Sequence, residues 1–207
     1  MSSIIKVDTI QNQSGANIIS ESANTITVGA SGDTITVPSG ATFDVSSATV
    51  TGTGITEADQ WRVTTDFSLD QNPVASNWER NDTDFALIGT GMTQSSGIFT
   101  FPSTGIYFVE YGGTVSSTDE NRWTDFKIEF TTNNSTYNLR AAQGTAGFYV
   151  STNSIYSSAR STCILDVTNT STHKVRFSID FHSGNAIARG SSSYQYHGAT
   201  FIRLGDT

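Results

Sequence analysis

The stretch that decides the fold runs from Phe99 to Tyr111, FTFPSTGIYFVEY. Bulky residues recur in it at every second position: Phe99 and Phe101, then Tyr107, Val109 and Tyr111. Period-two alternation puts one face of a strand into a core. The spacer Pro102-Ser103-Thr104-Gly105 is turn chemistry, because Pro fixes φ and Gly tolerates positive φ. The stretch therefore predicts two strands joined by a turn.

Working outward, the same pattern returns. Phe126, Ile128 and Phe130 alternate, and so do Val175, Phe177, Ile179 and Phe181. Strands are expected at 61–64, 92–101, 105–115, 123–131, 137–141, 154–167, 174–182 and 196–204, with a long loop reaching Asp84. Strands with turn-rich connections on this scale fit a jelly-roll β-sandwich. No stretch sustains helical periodicity, which argues against the α/β cofactor-binding folds.

Phe99, five residues, then Gly105-x-Tyr107-x-Val109-x-Tyr111 resembles the core signature of the complement-type globular head. Val109 stands where that family usually has Phe, and Leu87 and Met92 depart from its upstream half. His197-Gly198-Ala199-Thr200-Phe201-Ile202-Arg203-Leu204 is similar to its closing strand. The resemblance covers roughly residues 61 to 205. It implies a jelly roll similar to tumour necrosis factor, assembled as a trimer, with a calcium site in some members near the apex.

The chain has 207 residues, 14% of them charged, 36% hydrophobic and 11% aromatic. Aromatics in that proportion supply a core, so the composition is that of a folded chain with a hydroxyl-rich surface. A net charge of −8 argues against nucleic-acid binding and against adhesion to anionic membranes. The single cysteine, Cys163, excludes an internal disulfide and reads as a small buried hydrophobe. No signal-peptide core and no membrane-length apolar run is found, so synthesis and maturation in a cytoplasm are expected.

Residues before about 56 have a different character. Neither Lys nor Arg occurs between Lys6 and Arg62. Short units recur every eight or nine residues: Asn24-Thr-Ile-Thr-Val28, Asp33-Thr-Ile-Thr-Val37, Ala41-Thr-Phe-Asp-Val45 and Ala48-Thr-Val50. Repetition of this kind suggests a solenoid-like stack. Two or three apolar side chains per unit do not offset about 1–2 kcal/mol of backbone entropy per residue. Three chains sharing an axis would, each contributing Ile26, Val28, Ile35, Val37 and Val45. The alternative is a flexible Ser/Thr/Gly linker, against which the regular alternation weighs.

Ahead of these units, Ile4, Ile5, Val7 and Ile10 form another alternating apolar segment. SIIKVDTIQNQSG, followed by Ala16-Asn17, resembles the N-termini of tail-fibre proteins of marine and cyanobacterial phages. That resemblance covers residues 1 to 50 and implies a virion-attachment end. The expected organisation is thus attachment at 1–20, a thin trimeric β-shaft at 21–56 and a jelly-roll head at 57–207.

Chemistry in the sense of turnover finds little to stand on. There is no His-Glu-x-x-His, nucleophile elbow or phosphate-binding Gly loop. His173 reads as a solvated turn residue. His182 and His197 would meet only if their two strands paired, and a zinc site would then still want a third ligand. Asp119-Glu120, with Asp125 beyond, offers hard oxygens for calcium, but the spacing matches no EF-hand loop and a solvated turn is expected. A depolymerase needs paired carboxylates across a cleft. No catalytic residue, metal or cofactor is therefore expected.

Recognition is the better prospect. Strand parity places the loops within 70–84, 116–123, 143–153 and 183–194 at the end of the head opposite to where the chain enters. They contain Trp78, Arg80, Trp123 and a candidate receptor-binding tip of Asp119, Glu120, Asn121, Arg122, Phe148, Tyr149, Asn185, Arg189 and Tyr194. Turns at the opposite end are polar and hold no aromatic. The alternative is that these rings pack between protomers, with Trp123 and Tyr149 the first to be expected in the core or an interface. The expected function is a short homotrimeric phage tail fibre. Its N-terminus holds other tail or baseplate proteins, and its head binds a host-surface glycan or protein. A purely structural tail or capsid decoration protein is one rival. A secreted complement-head-like ligand or lectin is another.

Overall fold

The computed structural model describes residues 9–15, 17–22, 25–29, 31–44, 54–119, 121–147, 154–182 and 185–207. The chain divides into two compact units, Met1–Thr51 and Gly52–Thr207.

In the leading unit, β1 (Thr9–Gln11), β2 (Asn17–Ser22) and β3 (Thr25–Val28) form an antiparallel meander in that order. Gly15, with φ +85°, closes the first turn by donating to the Asn12 carbonyl. Register sets Ile10 opposite Ile19 and Ile19 opposite Val28, one apolar row across three strands. Residues 33–38 form no strand. Local antiparallel pairing joins β1 to β3, and β2 spans residue 20. Ile4, Ile5, Val7 and Val45 lie outside the described residues.

The head is a sandwich of two antiparallel sheets, without a helix among the described residues. The first sheet has the order β7 (Thr93–Ser95), β8 (Ile98–Thr100), β13 (Lys174–Phe181), β10 (Asn121–Thr131), β11 (Asn138–Gly147), given along the sheet with one end-strand at each edge. The second runs β6 (Trp78–Arg80), β4 (Ala58–Val63), β15 (His197–Gly205), β9 (Gly105–Ser117), β12 (Ile155–Val167). A short β14 (Ala186–Ala188) takes over from β15 beside the last residues of β9, and β5 (Phe67–Ser68) pairs with β14. The chain changes sheet between β6 and β7, β8 and β9, β9 and β10, β11 and β12, β12 and β13, and β13 and β14. Two interleaved sheets connected in this way are a jelly roll.

The core is built by the alternating residues. Phe99, Phe101, Tyr107, Val109 and Tyr111 are all fully buried, as are Phe126, Ile128, Val175, Phe177 and Ile179. Tyr111 from one sheet stacks on Phe177 from the other, with ring centroids 4.5 Å apart. Each such side chain contributes about 1.5–3 kcal/mol on burial. The turn at 102–104 is pinned from inside, because the Tyr107 hydroxyl donates to the Ser103 carbonyl at 3.0 Å.

Several local expectations are corrected by packing. The segment 92–101 is not one strand but a hairpin, β7–β8, because Ser96 and Gly97 both take positive φ (+51° and +77°) and reverse the chain. The long loop after β5 contains β6, whose Trp78 goes into the core against Phe99, and whose Arg80 pairs with buried Asp59. His173 is buried rather than solvated, hydrogen-bonded to Thr168 and Thr172 and edge-on to Phe130. His182 and His197 follow or occupy strands of different sheets, so they do not meet by pairing. Cys163 is half-buried on β12, and burial pushes its thiol up to about 11.

Candidate functional site

Loop parity holds within the head. Ser117 at the end of β9 pairs with Ile155 at the start of β12 and with Ala186 at the start of β14, while Asn121 pairs with Gly147. The strand ends Ser117, Ile155 and Ala186 therefore lie together at one end of the second sheet, and Asn121 and Gly147 lie together at an end of the first. At the other end Gly205 pairs with Ile106, Val167 with Gly105, and Asn134 donates to the Thr172 carbonyl. The chain enters there too, since the Glu57 carbonyl accepts from the Arg203 amide.

The expected tip residues separate into groups. Asp119 and Asn185 are exposed and face each other, the Asn185 amide donating to Asp119 Oδ2 at 3.3 Å. Arg122 is exposed. Asn121 is not a surface residue: it is 1% exposed and donates to Thr124 Oγ1 at 2.7 Å. Its place at the start of β10 turns it inward, where an amide can bond a strand neighbour. Glu120, Phe148 and Tyr149 lie outside the described residues. Trp123 is not in the core of the head: it is 42% exposed and stands edge-on to His182.

Arg189 and Tyr194 come together with two residues that alternation alone does not reveal. Arg189 pairs with Asp66 at 2.6 Å, both half-exposed. Tyr194 stands edge-to-face with Tyr196, centroids 4.8 Å apart and planes at 71°. Hydrogen bonding with Tyr194 raises the Tyr196 phenol, with the Asp66 carboxylate also raising it and Arg189 opposing. The sequence places Tyr196 at the start of the last strand and Asp66 in the long loop before Asp84. The trace that the sequence carries of this pair is Tyr194-x-Tyr196 following a run of three serines.

The loop that carries these groups is fixed by its backbone. The Arg189 amide donates to Thr114 O (2.9 Å), the Gly190 amide to Asp66 Oδ1 (2.8 Å) and the Ser191 amide to Val63 O (3.0 Å). Thr114 in turn donates to the Tyr196 carbonyl at 3.0 Å. Gly190 lies so close to Thr65 that a Cβ would come within 2.4 Å of its backbone. A ledge held at both ends presents its rings already ordered.

Two further surfaces are open. In the leading unit Ile26, Val28, Ile35, Val37 and Phe43 line an open groove of about 480 Å³. Each of these side chains is between 44% and 75% exposed. On the head, the outward face of the second sheet carries Ile164, Phe108, Ile202 and Ala58 in one cross-strand row. β11 and β12 form neighbouring rims of the two sheets, each with one edge unpaired among the described residues. Among the described residues no group of three or more His, Cys, Asp and Glu is placed to hold a metal ion.

No known protein family matches this sequence, and none of the curated proteins does. Among solved structures the chain is similar to murine APRIL, in its crystal structure at pH 5.0, with a TM-score of 0.49 and 12% identity. The likeness covers 72% of this chain and 98% of that one. It is the strand order described above, and not this likeness, that carries the jelly-roll fold.

Proposed function

We propose that this chain is a binding and structural protein that acts as a homotrimeric phage tail fibre. Residues 1–20 attach it to the virion, the repetitive segment to 56 is its shaft, and the head contacts the host surface with its far end. It works by binding, without turnover and without a cofactor. Three copies of one tip turn weak contacts into firm adhesion through effective concentration.

The observation that carries this reading is the groove of Ile26, Val28, Ile35, Val37 and Phe43. A run of aliphatic side chains left open to water costs about 25 cal/mol per Å² relative to burial. Sister copies of the same segment would cover it and recover that energy. The head supports the same reading: a 13-residue strand, β12, with a bare edge and the apolar row on its outward face is a poor surface for a lone molecule. The phage-like SIIKVDTIQNQSG segment supplies the setting.

The test is the mass of the intact protein in solution, measured beside a variant with Ile26, Ile35 and Val37 all changed to Ser. Three copies for the parent and a smaller species for the variant are expected. A monomeric parent with an unaltered leading segment overturns the fibre.

A further inference from the structure

We propose that the corner formed by Tyr194 and Tyr196, beside the Arg189–Asp66 pair, is a site for a neutral pyranose of a host-surface glycan. This names the ligand class for the host contact proposed above, and rests on that reading.

Three features of the ledge point to a sugar. First, two phenol rings stand edge-to-face at 71°, and the two residues are 57% and 36% exposed, so aromatic surface is open to solvent beside the contact. The C–H face of a pyranose lies flat on one ring while its rim meets the other. Secondly, the Arg189–Asp66 pair supplies donors and an acceptor side by side. Vicinal hydroxyls both donate and accept, so they can bridge such a pair without displacing a charge. Thirdly, residues 189–196 read Arg-Gly-Ser-Ser-Ser-Tyr-Gln-Tyr, with no aliphatic side chain. A protein hot spot wants a desolvated apolar centre; this ledge offers hydroxyls around rings.

Charge narrows the class further. Asp66 already occupies the guanidinium of Arg189. An anionic sugar would have to compete with that carboxylate, on a chain of net charge −8. A neutral hexose or N-acetylhexosamine meets no such barrier. The backbone stitching of Arg189, Gly190, Ser191 and Tyr196 holds the corner before any ligand arrives, which lowers the cost of binding.

The experiment applies the full-length protein to an array of neutral, sialylated and sulfated oligosaccharides. Saturation-transfer NMR on lactose, maltose and N,N′-diacetylchitobiose at millimolar concentration accompanies it. Binding to neutral glycans is expected, weakened about tenfold or more by Tyr194→Ala and by Tyr196→Ala separately. Tyr137→Ala, whose ring lies under Arg176, should leave it unchanged. Each variant is first shown to keep the parent's unfolding midpoint, and Tyr→Ser replaces any that does not. Binding confined to charged glycans, binding insensitive to both tyrosines, or no glycan bound at all overturns the site. Capture of a purified host protein through these tyrosines, with no glycan bound, overturns it in favour of protein recognition. The mass of the same sample separates the two proposals: a trimer without sugar binding loses only this site, and a monomer that binds sugar loses only the fibre.

Discussion

His197 Nε2 and the Tyr111 hydroxyl share a hydrogen bond of 2.8 Å in the interior of the head, both residues wholly buried. Around the imidazole stand Phe67, Trp78, Tyr111 and Phe126. No carboxylate is among them, and the charge that acts on the ring is that of Arg160. Burial, aided by Arg160, pushes the imidazole down to about 3. The sign follows directly. An unfolded His takes its proton near pH 6.5, the folded one only near 3, so between these values the unfolded chain binds more protons and folding stability falls as the pH falls. Thermal unfolding of parent and His197→Gln between pH 7 and pH 3 should show a steeper acid loss in the parent. The difference is about 1.4 kcal/mol per pH unit at its steepest. Parallel curves for the two proteins would remove the imidazole from the account.

Asp59 is a second buried group with everything it needs. Its carboxylate accepts from Trp61 Nε1 at 2.8 Å, from Arg80 Nε at 2.9 Å and from the Met92 amide at 2.7 Å. It thereby ties β4 to β6 and to the segment before β7. Asp59→Ala should lower head stability by about 1–3 kcal/mol, because it leaves the Trp61 and Met92 N–H donors without their acceptor, while the part-exposed Arg80 keeps the Met92 carbonyl. Chemical denaturation of the parent and variant measures this. A loss under 1 kcal/mol would mean that water replaces the carboxylate freely.

Gly190 should not tolerate a side chain. Its Cβ position falls 2.4 Å from the Thr65 backbone, where neither side can yield as a flexible side chain would. Gly190→Ala is expected to lift the 189–196 ledge while leaving the sandwich intact. Amide exchange should quicken at Arg189, Gly190 and Ser191, whose donors meet Thr114, Asp66 and Val63. Sugar binding should weaken with it. Unchanged exchange at all three amides would show that the close approach is not enforced.

Cys163 should be a slow thiol. With its pKa pushed up to about 11, the thiolate fraction at pH 8 is on the order of one in a thousand. Iodoacetamide at pH 8 is expected to label the native protein far more slowly than the protein in denaturant. Equal rates would mean that β12 opens readily.

The sequence alone determined the long core strands and their inward faces. Alternation is a local code: where one face of a strand is buried, every second residue must be apolar, and Phe99 to Tyr111, Phe126 to Phe130 and Val175 to Phe181 obey it without reference to any neighbour. Parity of antiparallel strands likewise placed the 116–123 and 183–194 loops at one end. Tertiary structure alone decided which polar and aromatic residues go inside. Trp78 and His197 are core, Asn121 turns inward and Trp123 stays out, because each depends on what the opposite sheet presents across the sandwich. Asp66 joins Arg189, from 123 positions away in the chain, only because β5 pairs with β14. Contacts between residues so far apart carry no periodic trace, and so the binding ledge became visible only when the sheets were assembled.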